Sequence, residues 1–108
     1  MIDAPASAAA QGGAFSVVDG GWAFGGALTL DDAAHVLQSS QTLPLPESGV
    51  IDFSGLMQAD SAALAVMMAL KRRAATEGRS LTLTGLPASL RSLAVVYGVE
   101  HYLVDAAS

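Results

Sequence analysis

Few side chains in this chain can do chemistry. The 108 residues hold two histidines, His35 and His101, and no cysteine. One serine stands out: Ser61 follows Asp60 at the head of an apolar run from Ala62 to Leu70. A serine hydrolase needs a serine and a histidine within hydrogen-bond reach, together with an oxyanion site. No Gly-x-Ser-x-Gly elbow presents Ser61 in that way. Two histidines distant in sequence and without clustered acids make a poor metal site. The missing thiols exclude thiolate zinc sites, disulfides and a cysteine nucleophile. No Gly-x-x-x-x-Gly-Lys loop is present to cradle a nucleotide phosphate. The residues therefore point to a non-enzymatic protein with no cofactor and no metal, in which Asp60 and Ser61 serve another purpose.

Both residue types cap helices, accepting hydrogen bonds from backbone N–H groups that the first turn leaves free. The same helix end favours anions. A phosphoryl group on Ser61 would sit there and bring nearly two negative charges, which makes Ser61 a candidate phosphorylation switch. Advancing 100° per residue from Ser61 puts Ala63, Leu64, Met67, Leu70 and Ala74 on one side, to pack on a sheet. Ser61, Ala62, Ala65, Ala69, Arg72 and Thr76 fall on the other, with Met68 at the margin. An exposed helix in a monomer usually carries Glu and Lys there, and a contiguous apolar patch marks a contact site. The candidate partner-binding residues are Asp60, Ser61, Ala62, Ala65, Met68, Ala69 and Arg72. The small side chains among them would let a flat partner helix come close.

The elements that must position this helix follow from periodicity and turn residues. Residues 1–13, rich in Ala, Gly and Ser, are expected to form a tail, with one domain over 14–108. Phe15 to Val18 and Trp22 to Leu28 read as two strands joined at Asp19-Gly20-Gly21. Gly25 and Gly26 suggest a bulge or a close backbone approach. A helix capped by Thr29 or Asp31 follows, and Gln38 to Ser48 reads as a proline-containing loop, mobile or in contact with a partner. Val50 to Phe53 reads as a central strand covered on both faces, with Ser54 to Ala59 linking it to the long helix. That helix stops at Gly78. Leu81 to Thr84 is a further strand. Pro87 starts a helix whose stripe is Leu90, Leu93, Ala94 and Tyr97, ended by Gly98. Val99 to Val104 is a short closing segment. The order β-β-α-β-α-β-α predicts an α/β domain with a mixed, mostly parallel sheet of about four strands and helices packed on it.

Net charge is −5 with five basic residues, too few for a counterion-releasing nucleic-acid surface. The one basic cluster, Lys71-Arg72-Arg73, reads as a solvated helix end complementing the helix dipole, or as a rim for an acidic partner. The longest apolar run falls well short of the ~20 residues that cross a bilayer, and no secretory signal is visible. A cytoplasmic location without membrane insertion is expected.

Val50-Ile51-Asp52-Phe53-Ser54-Gly55-Leu56, Ala59-Asp60-Ser61-Ala62-Ala63-Leu64, Leu81-Thr82-Leu83-Thr84-Gly85-Leu86 and Leu90-Arg91-Ser92-Leu93-Ala94 together resemble the STAS domain family. The likeness covers the chain from Phe15 onward. The family's Asp-Ser/Thr-x-Gly-Leu element is matched except at Ala63, where glycine is usual. Within the family the chain is similar to the MlaB branch, through Gly26-Ala27-Leu28-Thr29 and Leu81 to Pro87. The resemblance implies a small subunit that clamps the ATPase (MlaF-like) of a phospholipid ABC transporter, held peripherally on the inner membrane and maintaining outer-membrane lipid asymmetry. It also implies an alternative, an anti-sigma factor antagonist released by phosphorylation of Ser61. On either account Ser61 matches the family's phosphorylatable or interface hydroxyl and Asp60 its acidic neighbour.

Overall fold

The computed structural model describes residues 13–103, so all but the last residue of the expected tail over 1–13 lies outside the described residues. Strands β1 (Ala14–Val18) and β2 (Gly21–Leu28) form an antiparallel hairpin. Asp19 and Gly20 turn it, both with positive φ (50° and 79°), the conformation whose twist matches paired strands. Helix α1 (Leu30–Ser40) follows, then β3 (Val50–Ala59), α2 (Ser61–Thr76), β4 (Thr82–Thr84), α3 (Ala88–Val96) and a short α4 (Glu100–Leu103). The sheet order is β1-β2-β3-β4, with β3 parallel to both neighbours. This is the α/β order expected, with α4 replacing the start of the irregular closing segment.

The caps are local. Thr29 is the N-cap of α1, and the Asp32 carboxylate accepts from its backbone N–H (3.2 Å) and its hydroxyl (2.9 Å). Gly78 and Gly98 follow α2 and α3 with φ of +72° each. The N–H groups of Arg79 and Val99, one residue beyond, bond back to the Ala74 and Ala94 carbonyls (2.7 and 2.9 Å). Only glycine takes that left-handed position without strain.

Three expectations need correction. First, β3 does not end at Phe53; it continues through Ser54 to Ala59. Between the pairs Ala23–Asp52 and Gly25–Gly55, and again between Gly26–Leu56 and Ala27–Gln58, β3 carries one residue more than β2. These bulges break the alternation, so the segment looks like a loop in sequence. The glycines of β2 face bulges that lie on β3, and the close approach falls at Gly55, where an added Cβ would stand 2.7 Å from the Phe24 carbonyl oxygen.

Second, β3 is not covered on both faces. Trp22, Phe24, Ile51, Phe53 and Leu83 are buried on one side under the helices. The alternate residues Asp52, Ser54, Thr82 and Thr84 are half-buried or exposed. The apolar look of Val50-Ile51-Asp52-Phe53 comes from a single buried face plus the half-buried Val50. Phe15 closes the hairpin end of the core, its ring 5.0–6.0 Å from those of Trp22, Phe24 and Phe53.

Third, the proline-containing segment is anchored to the domain. Its first residues, Gln38 to Ser40, belong to α1, and Leu45 and Pro46 are buried. The Arg73 guanidinium donates to the Ser40 and Leu43 carbonyls (3.1 and 2.7 Å). Arg79 donates to the carbonyls of Leu45, Pro46 and Glu47. Among the described residues no helix is long and apolar enough to cross a membrane.

Candidate partner-binding face

Helix α2 lies across α1 on one side and meets α3 and α4 on the other. Its inward stripe is buried as expected: Ala63, Leu64, Met67, Leu70 and Ala74, joined by Val66. The outward residues remain accessible. Ser61, Ala65, Arg72 and Thr76 are exposed, and Ala62, Met68 and Ala69 are half-buried. Of the strip's alanines, Ala65 is fully open to solvent and Ala62 and Ala69 are partly covered by the described chain.

Asp60 precedes the helix in extended conformation and is its N-cap. One carboxylate oxygen accepts from the Ala62 N–H at 2.9 Å. The other accepts from the Leu30 N–H at 3.1 Å, thirty residues earlier, at the first position of α1. A single carboxylate therefore lies between two helix N-termini, where the positive ends of both dipoles favour it. Ser61, the next residue, turns its side chain to solvent.

Two shallow depressions flank the Ser61–Ala65 ridge. One, of about 440 Å³, is lined by Leu30, Ala33, Asp60, Ser61, Ala62 and Ala65. The other, of about 290 Å³, is lined by Ser61, Leu64, Ala65, Met68, Tyr97 and Val99. Their walls include large apolar groups in solvent: Leu30 is 76% exposed and Tyr97 58%. Sequence periodicity had assigned Tyr97 to the buried stripe of α3. Tyr97 is the C-cap of α3, still in right-handed helical conformation with its N–H on the Leu93 carbonyl (3.0 Å), and its ring stands beside Met68 in solvent. Leu30 was missed because nothing marks an apolar residue just after a cap as exposed. The Thr29–Asp32 capping pattern was the available signal, since it fixes Leu30 in the first turn.

The basic cluster divides. Arg73 is committed to loop carbonyls and to Glu77 (3.1 Å), whereas Arg72 is exposed at the far end of the strip. His35 and His101 are exposed on α1 and α4. Among the described residues no group of three or more His, Cys, Asp or Glu side chains could hold a metal ion.

The architecture, with a capped Asp-Ser entrance to a small-faced helix behind a mostly parallel sheet, has a counterpart among known families. A family model described as MlaB, STAS domain, matches residues 22–105, from β2 to just past α4. The chain belongs to the MlaB-like STAS family. In this STAS domain the matched span contains the Asp60-Ser61 entrance, the whole of α2 and both depressions beside it. No curated protein matches the chain.

Proposed function

We propose that this STAS domain is a non-enzymatic subunit that docks, through Asp60, Ser61, Ala62, Ala65, Met68, Ala69 and Arg72, on the ATPase of an ABC transporter. The cargo is phospholipid, the site is the cytoplasmic side of the inner membrane, and the consequence is maintained outer-membrane lipid asymmetry. The observation that carries the proposal is the bare Ser61–Ala65 ridge between two apolar-walled depressions, in a chain of the MlaB-like family. A rigid cap at the helix entrance and small side chains along it suit a partner surface that must approach closely. The domain would act by differential binding: holding one conformation of the ATPase more tightly shifts its population toward that state. An exposed hydroxyl at the centre of the face gives a kinase access to a contact residue, and a phosphate there would repel an apolar partner.

The test is affinity purification of the tagged full-length chain with mass spectrometry. An ABC ATPase should be recovered, and it should be lost when Ser61→Asp or Ala65→Arg is introduced. Undiminished recovery with both variants refutes docking through this face. Recovery of an anti-sigma serine kinase in place of the ATPase would assign the same face to an antagonist.

A further inference from the structure

We infer that Asp60 is a positioning residue, which ties the start of α1 to the start of α2 and thereby sets the Leu30 wall of the docking face; this role rests on the docking proposed above. The evidence is the division of labour within one carboxylate. One oxygen caps α2 through the Ala62 N–H (2.9 Å), and the other holds the Leu30 N–H (3.1 Å). The second bond spans thirty residues of sequence and joins the two helices at the rim of the larger depression. Leu30 contributes to that rim a side chain that is 76% exposed, so its own burial does little to hold it. What fixes its backbone is Asp60 from one side and the Thr29–Asp32 capping pair from the other. Asp60 is itself only half-buried, but both oxygens of its carboxylate are engaged within the domain. It shapes the surface that Leu30, Ser61 and Ala65 present.

The two bonds can be separated chemically. Asparagine caps helices as well as aspartate does. Its single side-chain oxygen can keep the Ala62 bond, while its amide cannot accept from Leu30. Asp60→Asn therefore removes the tie and spares the cap. In the full-length chain, the Leu30 amide should exchange with solvent about tenfold faster in Asp60→Asn, with the Ala62 amide unchanged. Affinity for the ABC ATPase recovered with the wild-type chain should fall about tenfold in Asp60→Asn and in Leu30→Ala. The double variant should be no worse than either single one, because coupled residues are not additive. Unchanged Leu30 exchange, or additive losses in the double variant, overturns the tie. Normal binding by Asp60→Asn while Ala65→Arg fails to bind overturns the tie and leaves docking intact. Normal binding by both Ser61→Asp and Ala65→Arg removes the docking face, and the positioning role with it.

Discussion

At its C-terminal end α2 is bound down by its own chain: Arg73 reaches the Ser40 and Leu43 carbonyls and Glu77, the Thr76 hydroxyl returns to the Arg72 carbonyl at 3.0 Å, and Gly78 closes the last turn. At its N-terminal end, one carboxylate fixes the helix entrance and the two turns that follow face solvent with alanines. The inward stripe is continuous beneath both ends. The difference therefore lies in what the flanking segments do over the outer side. Side chains with hydrogen-bonding heads hold the distal end to a loop that would otherwise be loose. The proximal end is kept smooth. One helix can in this way serve as core, as anchor for a loop and as a surface held ready for a partner.

Substitutions ranked by their effect on stability would break or sharpen this contrast. Leu70→Ala empties a position that is 1% exposed under both ends and should cost about 3 kcal/mol in urea unfolding, since a cavity remains where the side chain was. Arg73→Ala strikes the anchored end alone. Losing charged hydrogen bonds to two carbonyls should cost about 2 kcal/mol, and proteolysis should then cut preferentially within 41–49 while ATPase recovery persists. Asp32→Ala removes the capping partner of Thr29 and should cost about 1 kcal/mol, read by the same unfolding curve. Ala65→Arg, on the bare end, should move stability by less than about 0.5 kcal/mol and yet abolish recovery of the partner. A large destabilisation by Ala65→Arg would mean that the proximal face is packed against this chain after all, and the contrast between the ends would fail.

Much of the fold was legible in the sequence where the code is local. The hairpin at Asp19-Gly20, the stops at Gly78 and Gly98, and the inward stripe of α2 all follow from backbone preference or periodicity. Periodicity also places Ser61, Ala65, Arg72 and Thr76 on the exposed side, while Ala62, Met68 and Ala69 are half-buried. What escaped was non-local. The continuation of β3 through Ser54 to Ala59 was hidden because bulges scramble alternation. The anchoring of the proline-containing loop depends on Arg73 and Arg79 finding carbonyls thirty or more residues away. The second bond of Asp60 depends on where α1 begins in space. Tyr97 shows a related failure: it keeps helical backbone geometry as the C-cap of α3, and periodicity gives the face a residue lies on but not whether another element covers it.

The bulges of β3 also keep count. Between the pairs Trp22–Ile51 and Leu28–Ala59, β2 advances six residues and β3 eight. The two extra residues are taken up at the bulges, so Leu28 still pairs with Ala59 and Asp60 arrives beside the two amides it holds. Deleting the extra residue of one bulge would regularise the ladder there and leave the pairing beyond it in place, because two residues of a bulged strand oppose one on its partner. A single-residue change of length in this stretch is therefore absorbed at a bulge without turning the Asp-Ser entrance.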